Sequence, residues 1–188
     1  MTSNQPIRFR ELGREEVDLV WTIDRTEVIN GVYYLEGGDL VLKPEHYDMR
    51  DWPSGEPAMY APILQACYDR GGAFFGAFEA GKLVGVAVLD SRFIGRDRDQ
   101  LQLKFLHVSH GYRGTGLGRV LFEQAVGRAR EMGARALYIS ATPSENTVGF
   151  YQRLGCMVAN EVDEALYELE PDDIHLVYSI PPAAVELA

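Results

Sequence analysis

With 188 residues, 46% of them apolar and 24% charged, the chain has the make-up of an ordinary globular protein long enough for one domain with a sizeable core. Its net charge of −10 at neutral pH argues against a nucleic-acid partner, because a phosphate backbone is held by clustered Lys and Arg. No apolar run approaches membrane-spanning length, and the opening MTSNQPIRFRE lacks the charged-then-apolar layout of a secretory signal. No membrane partner and a cytoplasmic location are therefore expected. Cys67 and Cys156 lie far apart and without ligand-like spacing, which suggests neither a disulfide framework nor a metal site.

The elements follow in chain order. Ile7–Glu11 alternates as a strand does, and Glu15–Arg25 carries apolar residues and first-turn acids that suit a helix. Asn30–Ser54 is the least readable portion. There, Val32–Leu35 and Leu40–Leu42 flank Glu36-Gly37-Gly38-Asp39 as in a hairpin, and Met49–Pro57 reads as loop. Ala58–Arg70 reads as helix, stopped by Gly71-Gly72. Ala73–Phe78 and Leu83–Asp90 bracket Glu79-Ala80-Gly81-Lys82, a strong hairpin signal. Arg92–Gln100 is a charged loop or the start of the next strand. Leu101–Ser109 is apolar enough to be a central strand buried on both faces. Gly116–Met132 has apolar residues at helical spacing, with Gly133 as its cap, and Leu137–Ala141 is a further strand. Ser144–Leu154 is a helix, Met157–Ala159 and Ile174–Ile180 form a closing pair, and Pro181-Pro182 ends the ordered part. One mixed α/β domain over residues 1–188 is expected.

The most informative stretch is Leu101–Met132, a strand, a glycine-punctuated turn and an amphipathic helix. Arg113, Gly114, Thr115, Gly116, Leu117 and Gly118 bring a cation and three glycines to the helix start. Such a turn suits phosphate, since glycine lets backbone approach oxygen and the first helical turn has unpaired N–H groups at the positive end of the dipole. The spacing is not that of a P-loop, which ends in Gly-Lys-Ser/Thr. Nor is it that of a dinucleotide fold, because the glycines fall at alternate positions. Lys104, Arg113, Arg119, Arg128 and Arg130 accumulate around the turn by sequence, and Arg119 adjoins the last of its glycines. The carboxylates lie elsewhere, at Glu36, Asp39, Glu45, Asp48, Asp51 and Glu56 and over Glu161–Asp173. These acids read either as a solvated surface or as attraction for a cationic amine.

Arg113, Gly116 and Gly118 match the acyl-donor signature Arg/Gln-x-x-Gly-x-Gly/Ala, so the segment resembles the Gcn5-related N-acetyltransferases (GNAT). A later block, Ala136–Cys156, is similar to the same family, with Ser144, Phe150, Tyr151, Gly155 and Cys156 at its marked places. It departs from the family where Ser144 replaces the usual Asn, with Asn146 nearby, and where Cys156 replaces an aromatic. The resemblance implies a mostly antiparallel twisted sheet with a splayed parallel central pair and helices on both faces. It also implies acetyl-CoA as acetyl donor and an amine as acceptor, and a homodimer is compatible with it. By the same resemblance, backbone of Leu106, His107 and Val108 holds the pantetheine arm and the thioester carbonyl. Arg113–Gly118 holds the pyrophosphate, and Ser144 or Asn146 contacts the arm.

Tyr151 is the candidate general acid, because a phenol with a pKa of about 10 is protonated at neutral pH and can donate to a departing thiolate. The strand position where the family often carries a glutamate base falls near Gln102, which is a useless base. His107, Asp90 and His110 are the alternatives, His107 foremost because of its imidazole. The expected activity is transfer of an acetyl group to a primary amine, small and cationic or on a protein. A module that binds CoA without turnover, or a transferase of longer acyl chains, is the competing reading.

Overall fold

The structure is a computed structural model that describes residues 6–182. The first five residues of the opening stretch, read above for targeting, lie outside it. Its centre is a seven-stranded sheet in the spatial order β1-β4-β5-β6-β7-β9-β8. These strands are β1 (Arg8–Glu11), β4 (Ala73–Glu79), β5 (Lys82–Ile94), β6 (Gln100–Val108), β7 (Ala136–Ala141), β8 (Met157–Val158) and β9 (Ile174–Ser179). Every neighbouring pair is antiparallel except β6 and β7, which run parallel. The strands β2 (Glu27–Glu36) and β3 (Asp39–Met49) form a separate hairpin. The helices are α1 (Glu56–Asp69), α2 (Leu117–Glu131), α3 (Glu145–Arg153) and α4 (Glu164–Leu169), with a 3-10 helix at Arg14–Thr22. The mixed, mostly antiparallel architecture agrees with the sequence reading.

Two apolar cores cover the two faces of the sheet. On one face Leu117, Leu121, Phe122 and Ala125 of α2 and Val148 and Tyr151 of α3 pack with Val84, Ala87, Leu89, Leu101 and Leu103. On the other face Val17, Val20 and Ile23 join Tyr60, Leu64 and Cys67 of α1 against Phe74, Val86, Val88 and Phe105. Leu103 and Phe105 are two positions apart in β6 yet belong to opposite cores. Between them, β6 advances from Leu103 to Phe105 while β5 moves only from Leu89 to Val88. This bulge at Lys104 adds one residue to β6, and the side-chain alternation of period two switches faces there.

Several local differences from the sequence reading have identifiable causes. The first helix is a 3-10 helix ending at Thr22, and α1 begins at Glu56 because Pro57 occupies its first turn, where no N–H is needed. The hairpin at Glu79–Lys82 is as expected, with Ala80 and Gly81 both at positive φ. The β2–β3 hairpin is much longer than Val32–Leu42. Its strands are largely exposed, so charges interrupt the alternation that marks a half-buried strand. The short helix α4 was missed altogether. It is capped by Asp163, whose carboxylate accepts from the Leu166 N–H at 3.1 Å.

Among the described residues no helix is long and apolar enough to cross a membrane, and no group of His, Cys, Asp and Glu is placed to hold a metal ion. Cys67 and Cys156 are buried free thiols.

A buried ionic network ties α1 to β5 and β6. Asp90 of β5 receives two hydrogen bonds from Arg70, at 3.0 and 2.6 Å, and lies 3.4 Å from the ammonium of Lys104. Burial pushes the Asp90 carboxyl up, but the Arg70 hydrogen bonds and the Lys104 charge outweigh it and hold the group at about 2. Burial in turn pushes Lys104 below the usual lysine value, with the Asp90 charge opposing. Asp90→Asn leaves two interior cations without their counter-charge and should cost about 3 kcal/mol at pH 7. That contribution is complete above the unfolded carboxylate pKa of about 3.9 and is lost as pH falls through the folded value. Urea titration should find the mutant midpoint well below wild type at pH 7, with the two converging in strong acid. Equal midpoints at pH 7 would mean that the network does not support the fold.

Candidate active site

The site follows from the parting of β6 and β7. Their parallel pairing runs only from Gln100 to Gln102 against Ala136 to Tyr138. Beyond it β6 continues to Val108 while β7 turns away, so the edge of β6 facing away from β5 is left without a strand partner. A cavity of about 760 Å³ fills the resulting wedge and runs through the sheet from the α2–α3 face to the α1 face. Leu106, His107 and Val108 line it, which is why they are half-buried, in contrast to the fully buried Leu101–Leu103.

At one end stands the glycine turn. Gly116 is the N-cap of α2 at φ +89°, with no side-chain cap, and Gly114 is at φ +76°. The first intrahelical bond at this end runs from the Val120 N–H to the Gly116 carbonyl, so the N–H groups just before Val120 are unpaired within the helix. Gly114, Gly116, Gly118 and Arg119 border the cavity. A Cβ on Gly118 would stand 3.3 Å from the Phe150 ring, so glycine also sets how closely α3 approaches α2. The Thr115 hydroxyl donates to the Tyr112 carbonyl at 2.7 Å, and the Leu117 side chain belongs to the core, so both serve the turn itself. Arg113 donates to the Val108 carbonyl at 3.0 Å and lies 3.4 Å from Glu27.

The basic cluster expected from sequence is only partly assembled. Lys104 sits in the Asp90 network, Arg128 pairs with Glu11 at 2.6 Å, and Arg130 donates to the Pro181 carbonyl. Arg113 and Arg119 remain at the turn, and Arg153 of α3, which the sequence reading passed over, also lines the cavity. Of the two candidates on the α3 loop, Ser144 is buried as the N-cap, accepting from the Thr147 N–H at 3.2 Å. Asn146 lies on the cavity wall and donates to Glu27 at 2.9 Å.

On the cavity wall stands Tyr151, 5% exposed, its ring beside Phe122 and Phe150. Among the described residues its hydroxyl has no hydrogen-bond partner, and the side chain borders the cavity. Burial pushes the phenol well above its usual value, and the charges of Cys156 and Asp173 add to the rise. The group stays a proton donor at any physiological pH. His107 faces Trp52 and Phe105, with ring centroids 5.0 and 5.1 Å away. Burial, then the charges of Arg25 and Arg113, push the imidazole well below its usual value, which makes it a weak proton acceptor. Asp90 is committed to Arg70 and Lys104, and His110 shares its Nδ1 with the Thr26 carbonyl at 2.9 Å.

The far end carries groups that the sequence reading did not bring together. Glu56 and Tyr60 come from α1, and Glu170 and Asp173 come from the segment between α4 and β9. The Tyr60 hydroxyl donates to Glu170, and Arg25 donates to Glu56 at 3.0 Å. Burial pushes Glu56 up, which Arg25 opposes. Burial also lifts Asp173 well above the carboxylate range, helped by its hydrogen bond to Glu170. The acids of the hairpin do not share this cavity. Glu45 accepts from Tyr34 and Tyr47, Asp48 pairs with Arg50, Glu36 pairs with Lys43, and Glu56 alone of that acidic run lines the wall.

Solved structures with this fold include nourseothricin acetyltransferase, which is 20% identical with a TM-score of 0.68 and matches over 93% of this chain and 99% of its own. A candidate streptothricin acetyltransferase of Bacillus anthracis, in complex with acetyl coenzyme A, is 17% identical with a TM-score of 0.69, over 94% of this chain and 100% of its own. Among curated proteins, N-acetyltransferase 8 of Rattus norvegicus is 29% identical over 117 residues, 60% of this chain, which thereby spans about half (53%) of that relative's length. The model of the acetyltransferase (GNAT) family matches residues 41–156, from β3 through the glycine turn to the end of α3, and the chain belongs to that family.

Proposed function

We propose that this protein is an acetyl-CoA-dependent N-acetyltransferase, acting as a single domain over residues 1–188, with a primary amine on a small cationic molecule as acceptor. One observation carries the proposal. The unpartnered edge of β6 lies between a glycine turn suited to phosphate and the partnerless hydroxyl of a buried tyrosine, all on one cavity. The acetyl coenzyme A bound to the fold neighbour from Bacillus anthracis supports the choice of donor. A cytoplasmic setting fits the two free thiols, Cys67 and Cys156.

The donor supplies a thioester, whose carbonyl carbon is open to attack by an amine lone pair. The residues divide the remaining work. Backbone N–H groups of the turn from Arg113 to Gly118 and the start of α2, with the charges of Arg113 and Arg119, hold the pyrophosphate. Backbone of Leu106, His107 and Val108, on the free edge of β6, aligns the arm as an added strand and polarises the carbonyl. Asn146 contacts the arm, while Ser144 keeps the helix end in position. As the new C–N bond forms and the C–S bond breaks, the electron pair leaves on sulfur and the Tyr151 hydroxyl returns a proton to it. His107 is retained as neutral lining beside the reacting carbonyl.

Tyr151→Phe keeps the ring in the core and removes only the donor. Thiol release with an amine panel should find kcat lowered about 10²-fold or more, with CoA affinity nearly unchanged by calorimetry. A wild-type kcat on the preferred acceptor would make the hydroxyl a spectator.

Gly116→Val meets no neighbour within 4 Å but must hold φ near +89°, which costs a side-chain residue about 1–2 kcal/mol. The turn should shift, and CoA affinity should fall about tenfold or more, since each 1.4 kcal/mol is a factor of ten. Wild-type affinity in this variant would remove the phosphate reading of the turn.

A further inference from the structure

The transferase reading leaves one chemical problem open. An aliphatic amine arrives as an ammonium ion and cannot attack until it loses a proton, yet His107 is a weak acceptor and Gln102 is none. We propose that Glu170 and Asp173 form a proton-sharing carboxyl pair that binds the acceptor's ammonium group and takes its proton. This rests on the transferase reading and adds the acceptor's recognition site to it.

Two observations independent of each other place the pair at the reaction. The first is the shared cavity: Glu170 and Asp173 line the same space of about 760 Å³ as Tyr151, a residue only 5% exposed whose hydroxyl has no hydrogen-bond partner among the described residues. The second is a direct contact, since the hydroxyl of Tyr60, itself on the cavity wall, donates to the Glu170 carboxylate. The pair therefore stands on the acceptor side of the wedge, across from the glycine turn.

The charges around Asp173 define what the pair can hold. From its own segment it faces Glu170 and Asp172, and from α1 it faces Glu56 and the Tyr60 hydroxyl. Across the cavity, β6 presents Lys104 and His107 and α3 presents Tyr151 and Arg153, while from β9 the buried His175 feels the Glu170 charge. Of the nearby cations, two are already engaged: Arg25 with Glu56 at 3.0 Å and Lys104 with Asp90 at 3.4 Å. Among the described residues no Lys or Arg forms an ion pair with Glu170 or Asp173, and Tyr60 supplies Glu170 with a neutral donor. With no cation bound, close acids relieve their repulsion by keeping one proton between them.

The incoming R–NH3⁺ favours the fully ionised pair and expels the shared proton to water. The doubly charged pair then takes one N–H proton in an uphill equilibrium that acyl transfer draws forward, and becomes singly charged again. This leaves R–NH2 with a free lone pair for the thioester carbon. Loss of the C–S electron pair to sulfur is matched by the proton from Tyr151.

The test uses the full chain and 1,4-diaminobutane as probe. Calorimetry of the probe at pH 7, in buffers of different ionisation enthalpy and without acetyl donor, should count about one proton released per probe bound. Asp173→Asn and Glu170→Gln should each release none and bind at least about tenfold more weakly. Glu45→Gln, which removes the same charge from the hairpin, should behave as wild type. With acetyl-CoA present, Asp173→Asn should lower kcat at pH 7 about 10²-fold and recover it as pH approaches the amine's own pKa. Asp173→Glu should restore most of the rate. Thermal melts of each variant report whether it folds, and Glu170→Gln carries the test if Asp173→Asn does not. The proposal is overturned if wild type binds no diamine, if the proton count is the same in wild type and variants, or if kcat and its pH profile survive both substitutions. Because the binding arm needs no donor, a wild type that fails to bind CoA strikes the transferase reading separately.

Discussion

A parallel ladder that stops after Gln102 is the constraint from which the rest of the molecule is organised. In a closed sheet the backbone groups of Leu103–Val108 would be paired on both edges. Here the edge away from β5 is left open, and unpaired backbone polar groups in a protein interior demand a partner. The fold meets that demand with a cavity instead of a strand. The bulge at Lys104 falls at the same point and switches the side-chain alternation, so that Phe105 joins the α1 core while Leu103 belongs to the α2 core. Parting and bulge together turn one strand into a wall with a different chemical face at each end.

The two ends of the cavity are built by different means. The α2 end relies on backbone: positive-φ glycines, unpaired N–H groups and a close α2–α3 contact at Gly118. The α1 end relies on side chains, with Glu56, Tyr60, Glu170 and Asp173 contributed by segments far apart in sequence. Between them the Asp90–Arg70–Lys104 network satisfies a lysine buried against the cavity and fixes α1 to the sheet. The Asp90 charge is thus matched by cations, whereas among the described residues Glu170 and Asp173 have no Lys or Arg ion pair.

This division explains what could be read from the sequence. The strand, glycine turn and helix of Leu101–Met132 were legible because their signals are local: an apolar run, glycines at forced φ values and a helical period. The Ala80-Gly81 hairpin was legible for the same reason. The bulge was not, because it is a count between two strands and Lys104 carries no mark of it. The β2–β3 hairpin was read too short because its exposed strands tolerate charge on either face. Helix α4 is too short and polar for periodicity to register, and with it went the arrival of Glu170 and Asp173 at the site. The Arg128 and Arg130 side chains, close to the turn in sequence, follow the helix round to Glu11 and the Pro181 carbonyl.

The β2–β3 hairpin is anchored to the body at one notable spot. The Tyr33 N–H donates to the Pro143 carbonyl at 2.7 Å, Val32 bridges to Ser144, and the Asn30 N–H donates to Glu145. Those contacts grip the loop and cap from which α3 starts, and α3 carries both Asn146 and Tyr151. The hairpin therefore braces the α3 cap from outside. The placing of Asn146 and Tyr151 on the cavity wall thus depends in part on a hairpin most of whose length lies outside that cavity.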